Sequence, residues 1–302
     1  MKKGLILITA YLKLQSQFSQ AQRMQAELEA LGIATEIKRN DGFYAVVTDN
    51  EIRSSLQKEY DFCVYFDKDK YMSEMLEKSG LRLFNRHEAI RICDDKMQTY
   101  ISLTGKNIPM VKTLSGLLCY EPSEKVRLET AERIEKELGY PVIIKESFGS
   151  LGKGVYMAKD RTELLSVMEE LKCRPHLFQR AVTSSLGKDL RVILVGGKVV
   201  AAMLRQSKTD FRSNIELGGV GSPYSVSYAV QTVCERVAQE IGLDYCGIDI
   251  LFGARGEPIV CEVNSNAFFG GIERVTGVNV AKAYARHIYD EIYGAEKTGE
   301  NI

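Results

Sequence analysis

The chain opens on short apolar runs separated by stretches whose apolar residues recur at helical spacing. LILITA reads as a buried strand, FSQAQRMQAELEALG as an amphipathic helix stopped at Gly32, and ATEIKR as the next strand. DFCVYFD, the helix KYMSEMLEKSG and LRLFN repeat the cycle. Strands alternating with helices predict a mostly parallel sheet with crossovers, so residues 1–88 are expected to form a doubly wound α/β unit.

After residue 88 the rhythm changes. The pattern predicts one long helix over EAIRICDDKMQTYISLTGK, then strand-like IPMVKTL and the polar helix EKVRLETAERIEKELG. The strand YPVIIKE, the loop SFGSLGKG, the strand VYMA, the helix TELLSVMEELK and the strand HLFQRAV complete a unit over 89–182. Residues 183–294 are rich in strands. DLRVILVGGKVVAAMLR predicts a hairpin turning at Gly196–Gly197, where φ > 0 is tolerated, and this would set Arg191 opposite Ala202. QSKTDFRSNIELGGVGSPYS follows neither period and is expected to be a long functional or mobile loop. The helix VSYAVQTVCERVAQEIG, the hairpin CGIDILFGARGEPIVCEV and the helix NVAKAYARHIYDEIYG follow, and 295–302 reads as a flexible tail.

Composition narrows the classes. Lys+Arg and Asp+Glu each total 40, and the resulting zero net charge argues against a dedicated nucleic-acid binder. No apolar run reaches the roughly 18–20 residues that span a bilayer. The start, MKKGLILITAYLKLQ, lacks a small-residue cleavage site, so a cytoplasmic protein without membrane attachment is expected. Seven scattered cysteines, odd in number and without CxxC spacing, suggest reduced thiols packed as small apolar residues rather than disulfides or a zinc site. Neither GxGxxG nor GxxxxGK[ST] occurs, which leaves nicotinamide and P-loop sites without support. The run Asp67-Lys68-Asp69-Lys70 follows a strand, where open α/β sheets bind ligands, although a solvated turn explains it more simply.

The candidate chemistry begins at CEVNSNAFFGG. In a strand, residues i and i+2 share a face, so Glu262 and Asn264 point the same way. If the preceding hairpin turns between Arg255 and Gly256, Phe252 opposes Ile259 and Asp249 opposes Glu262, with side chains on one face. Two facing carboxylates require a cation: a hard divalent ion such as Mg²⁺, or an arginine from among Arg191, Arg205 and Arg212. Lys145 ends the apolar strand PVIIKE, and the three glycines of SFGSLGKGV let backbone N–H groups approach a polyanion beside Ser147, Ser150 and Lys153. Lysine, glycine loop and acidic hairpin together form a nucleoside triphosphate site.

In the order Asp95-Lys96, Lys145, FGSLGKGV, FQRAV, DLR, DFRSN, GIDIL and EVNSN, the chain resembles the ATP-grasp superfamily. Within it, the chain resembles the RimK-like carboxylate–amine ligases of the alpha-L-glutamate ligase type, over roughly residues 85–290. The resemblance implies an α/β fold, α+β within the ATP-grasp module: a pre-ATP-grasp domain (1–88), a small subdomain with the glycine loop (89–182) and a C-terminal subdomain with the metal site (183–294). It also implies that Lys96 and Lys145 contact the nucleotide phosphates, with Ser150 and Lys153 in the glycine loop that follows Lys145. Gln179, Arg180, Ala181 and Val182 would line the adenine pocket, and Asp189 would lie on the ribose side. Arg212, Ser213 and Asn214 would reach the phosphates, and Asp249, Glu262 and Asn264 would hold one or two Mg²⁺ or Mn²⁺ ions.

Arg212 is the expected catalytic cation for the transferring phosphoryl group, and Arg191 and Arg205 are candidates for gripping a substrate carboxylate. Arg180 departs from the family pattern, which commonly has an acidic residue there. SNAFFGG, with Phe268 and Phe269 as candidates to shape an acceptor pocket, departs from the short turn of the ribosomal-protein-modifying members. His87, His176 and His287 are isolated and carry no assignment. The implied activity is an ATP-dependent carboxylate–amine ligase working through an acylphosphate. It would add glutamate or another amino acid to a peptide, protein or small-molecule acceptor. Synthesis of a dipeptide-like metabolite and an inactive nucleotide-binding regulator are the alternatives. Its partners would be ATP, a carboxylate and an amine, with no nucleic acid and no membrane; homo-oligomerisation is left open.

Overall fold

The computed structural model describes residues 2–11, 15–56 and 58–298. Its first unit comprises β1 (Lys3–Ile8), α1 (Gln15–Ala30), β2 (Ala34–Arg39), β3 (Ala45–Val47), β4 (Ile52–Ser54), β5 (Phe62–Phe66), α2 (Lys70–Lys78) and β6 (Arg82–Phe84). Four of these strands make a parallel sheet in the order β2-β1-β5-β6. Alternation along β1 covers both faces: Leu5 and Leu7 pack with Leu76, Leu83 and Ile90, while Ile6 and Ile8 pack with Met24, Leu28, Tyr284 and Ile288. The small antiparallel hairpin β3–β4 is additional to the sequence expectation.

The expected long helix is two, α3 (His87–Asp94) and α4 (Lys96–Leu103). Asp95 separates them in an extended conformation, and its Oδ1 accepts from Met97 N (2.9 Å) and Gln98 N (3.2 Å), capping α4. The break swings Lys96 to the first turn of α4, where its backbone N–H donates to Ser147 O (3.0 Å). β7 (Thr113–Ser115), α5 (Leu128–Leu138), β8 (Val142–Glu146), β9 (Val155–Ala158), α6 (Arg161–Leu171) and β10 (His176–Arg180) follow. They form an antiparallel sheet, β7-β10-β8-β9, whose apolar face packs on α5 and α6 through Ile134, Leu138, Leu164, Leu171 and Phe178.

The last unit contains β11 (Lys188–Val195), β12 (Lys198–Gln206), β13 (Val220–Pro223), α7 (Tyr228–Ile241), β14 (Tyr245–Phe252), β15 (Pro258–Asn264), α8 (Gly270–Thr276) and α9 (Val280–Thr298). The sheet order is β13-β12-β11-β14-β15, antiparallel throughout. Gly196 and Gly197 turn the β11–β12 hairpin at φ 55° and 72°. A register shift between Ile193 and Leu194 places Arg191 opposite Met203 rather than Ala202. β13 lies inside the segment expected to be loop. A Cβ at Gly221 would sit 2.5 Å from Met203 Sδ, so the glycine that erased the strand signal is what admits the strand. α9 extends four residues into the segment read as a tail, and 299–302 lie outside the described residues.

The first unit is fastened to the last by buried side chains. Asn85, just past β6, donates to Tyr245 O (2.7 Å) and Ser265 O (2.9 Å) and accepts from Tyr245 N (3.0 Å). Gln20 of α1 reaches Ala267 O and Phe269 N, each at 3.4 Å. All seven cysteines are free. Among the described residues, no helix is long and apolar enough to cross a membrane.

Candidate active site

The acidic hairpin forms the pair the sequence predicts, by a different route. The turn is tighter than the symmetric one: Gly253 N donates to Glu257 O (2.8 Å), and Phe252 therefore opposes Pro258, not Ile259. A bulge between Asp249 and Ile250 then absorbs one residue and restores Asp249 opposite Glu262, with Asn264 opposite Gly247. At the bulge, the Tyr100 hydroxyl donates to Val260 O (3.2 Å) and Cys261 O (3.0 Å), so the displaced carbonyls keep partners.

One cleft brings together Lys96, Lys145, Ser150, Lys153, Gln179, Arg180, Val182, Asp189, Arg212, Ser213, Asn214, Asp249 and Glu262. Ala181 does not line it; its N–H donates to Pro141 O (3.3 Å). Arg191 and Asn264 line an adjoining hollow between the first and last units, which shares Ser150, Lys153, Asn214 and Glu262 with the cleft.

Two lysines define the floor. Lys96 and Lys145 are each only 7% exposed. Lys96 Nζ donates to Gly149 O (2.9 Å) and stands 3.7 Å from Glu262 Oε1. Burial lowers its pKa, opposed by Glu262 and reinforced by the neighbouring ammoniums of Lys145 and Lys68. Lys145 Nζ lies 3.3 Å from Cys261 Sγ. Burial alone would lower its pKa, but Cys261, Tyr100 and Glu262 outweigh burial and the net shift is upward. Two buried cations on one floor repel each other, and a polyanion between them would relieve that repulsion.

The glycine loop roofs this floor. Gly149, Gly152 and Gly154 all have positive φ, and a Cβ at Gly152 would come within 2.8 Å of Leu217 Cδ1 and 3.0 Å of Asn214 Oδ1. Arg212 Nη1 donates to Gly152 O (2.8 Å), and its Nε and Nη2 hold Asp210 at 3.0 and 2.7 Å. That pairing with Asp210 raises the Arg212 pKa. The segment expected to be a functional or mobile loop thus clasps the glycine loop through Arg212.

Behind the acidic hairpin, charges alternate. Asp249 is held by Arg191 through a short Nε contact and an Nη2–Oδ2 bond of 2.8 Å, and by Arg205 at 3.0 Å. Arg205 also grips both oxygens of Asp189, at 2.7 and 2.5 Å. Burial raises the Asp189 carboxyl, partly countered by Arg205. Burial would likewise raise Asp249, but its two guanidiniums prevail and hold it below the usual range. The arginine alternative for Asp249 is therefore realised. Asp189, expected beside a ribose, spends both oxygens on Arg205, and Arg205, a candidate substrate grip, is 4% exposed and saturated by two aspartates.

Arg180, the departure from the family pattern, sends its side chain elsewhere. Nε and Nη2 donate to Leu138 O (3.1 Å) and Glu137 O (3.2 Å), capping the C-terminus of α5. Phe269 is core, 1% exposed, and both it and Phe268 border the hollow. Sequence reasoning gave no role to Lys188, Phe211 or Cys261 in the cleft, or to Asp210 beside it. Asp210 had a signal, standing in DFRSN two residues before Arg212; Cys261 had none, because its position depends on the bulge.

The donor set of the hairpin suits a hard cation. Glu262 and Asn264 offer oxygen on one face beside Asp249, the donor type that a hard divalent cation takes.

These features define the ATP-grasp class: an α/β unit leading into two sheets that hold a cleft roofed by a glycine loop and floored by lysines and an acidic hairpin. The D-alanine–D-alanine ligase of Bacillus anthracis, solved with ATP, superposes at a TM-score of 0.73 over 99% of this chain and 100% of its own, at 15% identity. The ATP-grasp ligase PsnB, solved with its minimal precursor, gives 0.70 over 96% and 99%, at 20% identity. The chain belongs to the RimK-like ATP-grasp family, whose domain model matches residues 93–288. It is 38% identical over 221 residues to beta-citrylglutamate synthase B of Danio rerio and 38% identical over 222 residues to human N-acetylaspartylglutamate synthase A. Each match covers 72% of this chain but only 53% and 54% of those relatives, so the chain spans about half their length. A probable alpha-L-glutamate ligase of Stenotrophomonas maltophilia is 35% identical over 70% of both chains.

Proposed function

We propose that the protein is an ATP-dependent ligase that joins a carboxylate to the amine of an amino acid, with glutamate as the amine substrate. The observation that carries this reading is the buried pair Lys96 and Lys145 under the glycine loop, facing Glu262 across one cleft. The floor suits phosphates, and the adjoining hollow leaves room for two further substrates. Glutamate is suggested by the relatives, which are named as synthases of citrylglutamate and N-acetylaspartylglutamate and as a probable glutamate ligase.

In this reading the γ-phosphoryl group of ATP passes to the carboxylate, giving an acylphosphate. The amine nitrogen then attacks the acyl carbon, phosphate leaves, and an amide and ADP result. Such chemistry needs positioning and charge neutralisation rather than a side-chain nucleophile. Lys96 and Lys145 hold phosphate oxygens, with Ser150 and Lys153 above them. Gln179 and Val182 border the base, and Ser213 and Asn214 close the cleft from the side of Arg212. Arg212, freed from Asp210, neutralises the transferring group. A divalent cation held by Glu262 and Asn264, with Asp249 beside them, would supply further charge neutralisation on the phosphates.

The test is ADP release over a panel of carboxylates, including citrate and N-acetylaspartate, each with and without L-glutamate. ADP formation dependent on both substrates, with product mass matching the amide, is the expected result. Nucleotide binding with no substrate-dependent ADP would instead indicate a regulator. Lys145→Ala should weaken ATP binding by about 10- to 100-fold, the worth of one charge-assisted phosphate contact. Calorimetry that finds the ATP affinity unchanged would remove Lys145 from the phosphate site.

A further inference from the structure

The parallel sheet of the first unit has a feature that the nucleotide cleft does not use. Its order β2-β1-β5-β6 reverses between β1 and β5: the chain moves outward to β2 on one side and to β5 and β6 on the other. Open sheets of this kind leave a crevice at such a point, outside the carboxyl ends of the strands. Thr9 follows β1 and Asp67 follows β5, and both line the hollow that also contains Arg191, Glu262 and Asn264. The crevice of the first unit and the acidic hairpin of the last therefore open onto the same space.

Asp67 is the first member of the charge run 67–70, and the other three have structural work. Lys68 Nζ pairs with Asp94 (3.2 Å), Asp69 caps α2 by accepting from Tyr71 N and Met72 N, and Lys70 lies 5.6 Å from the Phe148 ring. Asp67, half-buried, has only neutral donors. Asn40 Nδ2 reaches Oδ2 at 2.8 Å and the Lys68 backbone N–H reaches Oδ1 at 2.7 Å. The other carboxylates of the hollow have cations: Glu262 has Lys96 at 3.7 Å, and Glu273 has Arg23 at 3.5 Å. Among the described residues, no lysine, arginine or histidine lies within ion-pair distance of Asp67. Burial, with Asp69 adding to it, pushes its carboxyl upward against the hydrogen bonds from Lys68 and Asn40. A carboxylate withdrawn from water without a cation is costly, and an incoming ammonium would complete it.

We propose that Asp67 takes the ammonium group of the amine substrate and accepts its proton before the nitrogen attacks the acyl carbon, so that the N-terminal unit, rather than the ATP-grasp module, reads the amino acid. The same hollow presents the exposed Arg274 for a carboxylate, and a zwitterion has groups for both signs. The assignment rests on the ligase reading with glutamate as amine, and its test is independent of turnover.

The full chain with MgADP is titrated calorimetrically with two probes that differ only in the amino group, L-glutamate and glutarate. The wild type should bind L-glutamate about tenfold or more tightly, as one charge-assisted contact predicts. Asp67→Asn should abolish that preference while leaving glutarate binding unchanged, and Asp67→Glu should restore part of it. A wild type without preference for L-glutamate, or a preference that survives in Asp67→Asn, overturns the assignment. Should Asp67→Asn not fold, Asp67→Glu takes its place, and a preference for L-glutamate undiminished in that variant overturns the assignment. Glutamate-dependent ADP release without that preference would refute Asp67 alone. An Asp67-dependent preference without ADP release would uphold the ammonium site and refute the ligase.

Discussion

Glu262→Gln is expected to lower ADP-forming turnover by about a thousandfold, equivalent to several kcal/mol of charge stabilisation, while the fold stands. The two carboxylates of the hairpin are not equivalent. Asp249 has its charge matched by Arg191 and Arg205 and is 4% exposed. Glu262 has a single ion pair, 3.7 Å from Lys96, and its side chain is 25% exposed, so its charge remains available to the cleft. The amide is isosteric, but the buried Lys96 loses its carboxylate partner, so a stability loss of about 1–3 kcal/mol is expected. Turnover is one readout. A second is Mn²⁺ affinity by electron paramagnetic resonance in the presence of ADP, which should fall about tenfold or more with the loss of a carboxylate ligand. A variant whose Mn²⁺ affinity and turnover both match the wild type would take Glu262 out of the metal site.

The two kinds of signal in the sequence differed in reach. Period-based signals located the large elements: β1, β5 and the β11–β12 hairpin form where apolar runs and the Gly196–Gly197 pair place them. What failed was register and continuity, which depend on contacts outside the window being read. The α3–α4 break turns on Asp95 capping α4, a choice the continuous apolar pattern hides. The symmetric hairpin set Asp249 opposite Glu262, and the pairing exists, yet only because a bulge cancels a turn one residue tighter. Lys145 and Tyr100 help to define that bulge from far away in the chain, so no local pattern could reveal it. Arg205 shows the same limit. In sequence it is one of several arginines, set at the end of an apolar strand, and its saturation by Asp189 and Asp249 appears only when β11, β12 and β14 lie side by side. Arg180 shows the reverse case, a departure visible in sequence whose meaning, a cap on α5, is entirely tertiary.

Arg205→Leu should have the largest effect on stability, about 3–5 kcal/mol, because it leaves two buried carboxylates with one guanidinium between them. Arg205 is 4% exposed and bonds Asp189 twice and Asp249 once, and the two aspartates are themselves only 8% and 4% exposed. The sign of the pH dependence follows from the carboxyls. In the wild type, Asp249 is depressed below its ordinary value, so its contribution is full above the unfolded pKa and fades as pH falls through the lower folded one. Without Arg205, burial dominates at Asp189 and its carboxyl rises further, so the folded variant binds a proton that the unfolded chain has released. Stability of the variant is then lost as pH rises through that raised value, and the deficit against wild type should be larger at about pH 8 than at about pH 5. Urea denaturation of both proteins at the two pH values measures it. A deficit below about 1 kcal/mol, or one that grows in acid, would mean that the aspartates do not depend on Arg205 for their charge, and the alternating network could not be what fixes Asp249 beside Glu262.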